Sequence, residues 1–261
     1  MQTVGKSVKR KDGLEKATGK AKFIDDYTWH NMLYGATVRS PAPHIRITNI
    51  DVADAKRVPG VVDIFTYKAI PGKNSVPLVL PDYPFLAKDI AKFHGQALAL
   101  VVAETEAAAR MAARKVKITY TELPSVLDPL EAMEKTSPRI FGSDNIFRKY
   151  RIRKGDVRKG FSQSDVILER VYRTNYQVHS YLEPQGMIAS STPDGGMVVY
   201  GSLQCPFYVH NAVAAVLGIA HNKVRIVQAT TGGAFGGKED VPSIVAGHAA
   251  LLAHLTQRPV K

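Results

Sequence analysis

The stretch "TTGGAFGGKED", Thr230 to Asp240, packs four glycines, a phenylalanine, a lysine and adjacent carboxylates behind "VRIVQA", Val224 to Ala229. Its reading decides between a phosphate loop and a loop that presses its backbone against something else. Gly232, Gly237 and Lys238 satisfy G-x-x-x-x-G-K, and the β-branched run before them suits the buried strand that precedes a P-loop. The next position breaks the pattern. A P-loop needs a Ser or Thr hydroxyl there to hold magnesium, whereas Glu239 would set a fixed negative charge beside a triphosphate.

Working outward from this loop, "PSIVAGHAALLAHLTQ" (Pro242 to Gln257) and "PFYVHNAVAAVLG" (Pro206 to Gly218) read as helices opening on proline. Strands are expected at Gly186 to Ser191, Gly196 to Ser202 and Lys223 to Ala229, and also at "KYRIRK" (Lys149 to Lys154) and "DVILERVYRTN" (Asp165 to Asn175). The first half alternates strands (Leu33 to Ser40, Ile45 to Val52, Gly60 to Thr66, Gly95 to Ala103, Val116 to Leu123) with helices at Val52 to Arg57 and "ETEAAARMAARKV". The fold class is therefore α+β, a mixed α/β arrangement. We expect one domain over 1–125, a turn-rich linker over 126–145 and a second domain over 146–261. "RPV" near the end begins an extended segment with no partner apparent in the sequence, and the chain reads as the first piece of a longer polypeptide.

The 261 residues, 45% hydrophobic and 22% charged, have a globular composition. A basic start without a following apolar run suggests no signal peptide, no segment approaches a membrane span, and the single cysteine, Cys205, excludes an intrachain disulfide. A cytoplasmic location is expected. The net charge of +12 fits an anionic cofactor, an acidic partner or simply a basic surface. "FRKYRIRKGDVRKG" (Phe147 to Gly160) mixes basic and aromatic residues, but it reads as an amphipathic strand, a turn and a short helix, so no nucleic-acid partner is expected.

Several ordered motifs resemble the large molybdenum-binding subunit of the xanthine dehydrogenase and aldehyde oxidase family. "DGLEKATGKAKFIDD" (Asp12 to Asp26), "LYGATVRSPAPHIRI" (Leu33 to Ile47), "VPGVVDIFTYKAIPGKN" (Val58 to Asn74), "GQALALVVAETEAAARMAA" (Gly95 to Ala113) and "VKITYTELPSVLD" (Val116 to Asp128) are similar to its hammerhead domain. "NYQVHSYLEPQGMIA" (Asn175 to Ala189), "GSLQCPF" (Gly201 to Phe207) and "TGGAFGGKED" (Thr231 to Asp240) resemble the opening of its molybdopterin-binding domain. The resemblance implies a hammerhead domain followed by an incomplete cofactor domain, and a pterin-bound molybdenum centre, possessing oxo, sulfido and hydroxo ligands, that hydroxylates a carbon next to nitrogen or oxygen with water as the oxygen source. It leaves open whether the pterin is a cytosine dinucleotide. It also implies FAD and a 2Fe-2S cluster on separate subunits or domains, and an oligomeric full enzyme.

Position by position, the resemblance places Gln204 against the molybdenum oxo ligand and sets Phe235 and Gly236 over the metal site. Gly233, Gly236 and Gly237 become the glycines that let main-chain N–H groups approach an anionic cluster. Glu239 would contact substrate, and an acidic residue there favours a purine or related N-heterocycle over an aldehyde; a plain carboxylate at a helix start is the other reading. The family's general base and its charge-stabilising arginine fall beyond Lys261, so no catalytic base is assignable and the chain alone should be inactive. Ala234 stands where a glycine is common. Glu183 reads as a structural hydrogen-bonding group, His179 with Glu183 lacks a third metal ligand, and Cys205 reads as a small buried residue. Alternatives that stay open are an aldehyde- or carbon monoxide-type molybdenum enzyme and a non-catalytic nucleotide-binding or assembly module.

Overall fold

The computed structural model describes residues 3–261. The described residues up to Leu123 together with His179–Lys261 form one compact unit and Pro124–Val178 a second. The chain order is α1 (Gly13–Ala17), β1 (Tyr34–Arg39), β2 (Ile45–Asp51), α2 (Ala53–Lys56), β3 (Val61–Thr66), β4 (Ile90–Ala91), β5 (Ala97–Ala103), α3 (Glu106–Lys115), β6 (Lys117–Glu122), α4 (Pro129–Ala132), α5 (Val157–Ser162), β7 (Met187–Ser191), β8 (Met197–Gly201), α6 (Pro206–Leu217), β9 (Val224–Gln228) and α7 (Val241–Thr256). This is the mixed α/β architecture expected.

In the first half, β5 lies between β1 and β3, antiparallel to both, while β2 lies between β4 and β6. Every residue of β5 is buried, which explains why its sequence is apolar throughout rather than alternating. Helix α3 begins where Thr105 Oγ1 accepts the Ala108 N–H at 3.1 Å, and turns Ala109 and Ala112 toward the core. The second half carries β7 antiparallel to β8 and β8 parallel to β9, the latter joined by α6 as a crossover.

The two halves share the largest hydrophobic cluster, while β1–β6 and α3 enclose further clusters of their own. Leu33, Phe85, Leu86 and Leu100 from the first half cluster with Met187, Val209, Val213, Leu251 and Leu252 from the second. Helix α7 is apolar almost all round because it packs against α6 on one side and β7 on another. The end of α6 is capped across the chain. Gly72 N–H donates to Val216 O at 3.0 Å and Lys73 N–H to Ala215 O at 2.7 Å, while Gly218 leaves the helix at φ 66°. A Cβ on Gly72 would lie 2.2 Å from Ala215 O, so the approach requires glycine.

Two expectations are overturned. Lys149 to Lys154 and Asp165 to Asn175 form no strand; Ile152 is 92% and Tyr172 86% exposed, and among the described residues no strand edge pairs with either segment. Alternation prepares a chain for a sheet but cannot supply the neighbouring strand. "RPV", conversely, does have partners: Val260 bridges Leu33 on one side and Ala189 on the other. Those partners lie too far away in sequence for local pattern to reveal. The short α1, α4 and β4 add to the elements expected from sequence. Among the described residues, no helix is long and apolar enough to cross a membrane.

His248 of α7 donates from Nε2 to Phe85 O at 2.8 Å. Burial pulls its pKa down to about 4, with Arg39 acting in the same direction and the Phe85 hydrogen bond opposing. The folded protein thus resists a proton that the unfolded chain accepts near pH 6.5, so this contribution is complete above that pH and is lost as pH falls toward 4. His248→Gln should remove a pH-dependent component on the order of 3 kcal/mol between those limits, measured as the wild-type minus variant difference in urea unfolding at pH 7 and pH 4.5.

Candidate functional site

The glycine loop leaves β9 and arches back to the start of α7. Gly233, Phe235 and Gly236 all have positive φ, at 96°, 53° and 91°. Phe235 holds this conformation despite its Cβ and is 75% exposed. Gly237 N–H closes a turn onto Ala234 O at 2.8 Å.

Gln204, between β8 and α6, grips the far side of the arch. Its Oε1 accepts from Gly236 N–H at 3.0 Å and from Lys238 N–H at 3.2 Å, and its own N–H donates to Lys238 O at 2.7 Å. Two donors on one oxygen fix which way the carboxamide faces, leaving Nε2 as a donor with no hydrogen-bond partner among the described residues. The N–H groups of Gly233, Ala234 and Phe235 are likewise untaken among the described residues. The structure therefore brings Gln204 against the Phe235–Gly236 segment through the Gly236 N–H.

Lys238 is far from any role toward phosphate. Its side chain is fully buried, with Nζ 3.1 Å from Glu183 Oε2, donating to Ser202 Oγ at 2.8 Å and lying 4.8 Å from the Tyr181 ring centroid. Glu183 Oε2 also accepts from Ser202 Oγ at 2.6 Å and Gly232 N–H at 2.7 Å, and Oε1 accepts from Ile24 N–H at 3.3 Å. Burial pushes the Glu183 carboxyl up, but the donors Ser202, Gly232, Lys238 and Ile24 together outweigh it and hold the carboxyl below its usual range. Gln185 Nε2 ties the Tyr181 hydroxyl, at 3.0 Å, to Gly237 O, at 2.7 Å.

Glu239 is exposed and makes no hydrogen bond or ion pair among the described residues, whereas Asp240 occupies the position before α7. The Cys205 thiol is pushed up by burial and then by the nearby charges of Glu239 and Asp240, which argues against a thiolate. His179 stacks at 6.4 Å on Tyr181, and no metal-ligating cluster of His, Cys, Asp and Glu exists among the described residues. Sequence reasoning missed Lys238, Ser202, Tyr181 and Gln185. The available signal was a charged residue inside a glycine loop, flanked by apolar elements and preceded by a matching carboxylate.

Residues 18–124 match the family model described as "Aldehyde oxidase and xanthine dehydrogenase, a/b hammerhead domain" and residues 140–261 the "Molybdopterin cofactor-binding domain". The chain belongs to the xanthine dehydrogenase and aldehyde oxidase family of molybdenum hydroxylases. Among its relatives, the nicotinate dehydrogenase large molybdopterin subunit of Eubacterium barkeri is 39% identical over all of this chain and 61% of its own length. A probable xanthine dehydrogenase component of Bacillus subtilis is 36% identical over 97% of this chain and 34% of its own. Of solved structures, quinoline 2-oxidoreductase from Pseudomonas putida 86 is 25% identical with a TM-score of 0.86 over 98% of this chain and 34% of its own. Aldehyde oxidoreductase from Desulfovibrio desulfuricans ATCC 27774 is 29% identical, again at 0.86, over 98% of this chain and 30% of its own. The chain thus spans about three fifths of the first relative and about a third of the others.

A Cβ on Gly232 would lie 2.6 Å from Glu183 Cβ, a contact close to the backbone that no rotamer change relieves. Gly232→Ala should cost about 1–3 kcal/mol, read as a lowered urea midpoint with unchanged slope.

Proposed function

We propose that this chain forms the first part of the molybdenum subunit of a hydroxylase acting on a purine or related N-heterocycle, with water as the oxygen source. The observation that carries the reading is the pairing of a fixed carboxamide, Gln204, bonded to the glycine loop from the β8–α6 connection, with an unengaged carboxylate, Glu239, on the loop itself. The donor set fits an oxo-bearing anionic cofactor: untaken N–H groups at Gly233, Ala234 and Phe235 belong to the loop that Gln204 holds through Gly236 and Lys238, while the one lysine of that loop is neutralised internally. Gly236 and Gly237 would serve by their shape, letting the backbone approach without a side chain in the way.

Bound there, the molybdenum–pterin group would supply the two-electron redox chemistry. This chain's own residues would do the rest of what the loop allows. Gln204 would orient the group by donating from Nε2, Phe235 would cover it and exclude water, and Glu239 would accept a ring N–H to set the substrate's edge. The general base is assigned to polypeptide outside these 261 residues, so the chain alone would not turn over. Electrons would leave through partner modules carrying FAD and a 2Fe-2S cluster, since one cysteine cannot ligate such a cluster. The basic surface suits an acidic face on one of these partners.

Support for an N-heterocycle comes from relatives named for nicotinate, xanthine and quinoline. The aldehyde reading is favoured by the equally good superposition on an aldehyde oxidoreductase. One substitution separates them. In the assembled enzyme, Glu239→Val should lower kcat/KM for purines and azaheterocycles by at least about 100-fold while leaving aldehydes within a few-fold. Equal effects on both substrate panels would refute the heterocycle assignment.

A further inference from the structure

We propose that Lys238 and Glu183, with Ser202 between them, are the positioning pair of the cofactor loop: one carboxylate clasps both ends of the arch and so sets the direction in which Gln204 presents its amide nitrogen. Because the group that Gln204 meets is the one proposed above, the functional half of this role rests on that reading.

Glu183 Oε2 holds Gly232 N–H at 2.7 Å where the arch begins and Lys238 Nζ at 3.1 Å where it ends. Between these anchors run the three positive-φ residues, Gly233, Phe235 and Gly236. Such backbone persists only where its surroundings over-determine it. At the closing anchor, Lys238 also meets Gln204 through its own main chain, donating to Oε1 at 3.2 Å and accepting from the Gln204 N–H at 2.7 Å. Moving the ammonium therefore moves the peptide groups that fix the Gln204 carboxamide. Ser202 Oγ completes a triangle, accepting from Lys238 Nζ at 2.8 Å and donating to Glu183 Oε2 at 2.6 Å.

Stability alone does not account for these residues. A buried ion pair is commonly replaceable by well-packed apolar side chains without loss of stability, but an apolar pair could not hold Gly232 N–H at one end of the loop and the lysine at the other. Outer-shell groups that orient a ligand-binding side chain have the kind of effect expected here.

The test uses Lys238→Met and Ser202→Ala in the full molybdenum-loaded enzyme. The expected result is a fall in kcat of about 100-fold for Lys238→Met and about tenfold for Ser202→Ala, with KM shifted by less than about threefold. Molybdenum content should stay at the wild-type level, the Mo(V) paramagnetic resonance signal should shift, and amide exchange across residues 232–238 should accelerate. Wild-type exchange and an unshifted signal in either variant would overturn the proposal. Should Lys238→Met not accumulate as folded protein, Ser202→Ala decides by the same readouts, since it leaves no charge unpaired. Accelerated exchange in an enzyme that binds no molybdenum would uphold the clasp and sink the cofactor reading instead.

Discussion

A lysine ammonium sealed from water sits at the centre of this structure, and its neutralisation by Glu183 is the constraint on which the surrounding geometry depends. Taking such a charge out of water is tolerable only when an opposite charge and further hydrogen bonds meet it. Glu183, Ser202 and the Tyr181 ring supply these, from the segment before β7 and from the end of β8. Ile24 N–H adds the first half of the protein to the same carboxylate. The loop is thereby tied to the hammerhead side as well as to its own sheet, and its main chain faces outward because its one long cation faces inward.

The scaffold beneath works by the same sharing between distant segments. Helix α6 ends on carbonyls satisfied by Gly72 and Lys73, and α7 lies on Phe85 through Gly247 and His248. Both helices start beside the glycine loop, so what fixes them fixes the loop's two flanks. The first half is in this sense a bed on which the site-bearing helices are laid, with apolar side chains from both halves joined in one shared cluster.

Much of this was legible from local pattern. The all-apolar run at Ala97–Ala103, the acidic-to-basic gradient along Glu106–Lys115 and the proline-opened helices α6 and α7 all announce themselves within a few residues. The failures are the places where an answer lay in a partner. Residues 149–154 and 165–175 have the alternation of strands without a neighbouring edge, and Val260 has neighbours that only folding reveals. At the site, Glu239 broke the phosphate-loop pattern, and family resemblance placed Gln204 beside the Phe235–Gly236 pair, where Gly236 N–H does donate to Gln204 Oε1. The fate of Lys238 was hidden because its counter-ion lies 55 positions earlier, with three strands and a helix between them. Spacing cannot convey a contact made by packing.

The insertion of Pro259–Lys261 between the start of β1 and β7 has a consequence for how the protein is made. Arg258 and Asn31 touch although they are 227 positions apart, so the edge beside Leu33 waits until residues 258–261 have left the ribosome. At cellular elongation rates that interval is roughly ten to fifty seconds. Throughout it the nascent sheet exposes unpaired main-chain groups, the state in which strands pair wrongly with other chains. A holding chaperone, or early arrival of companion polypeptide, would shelter that edge until residue 260 closes it.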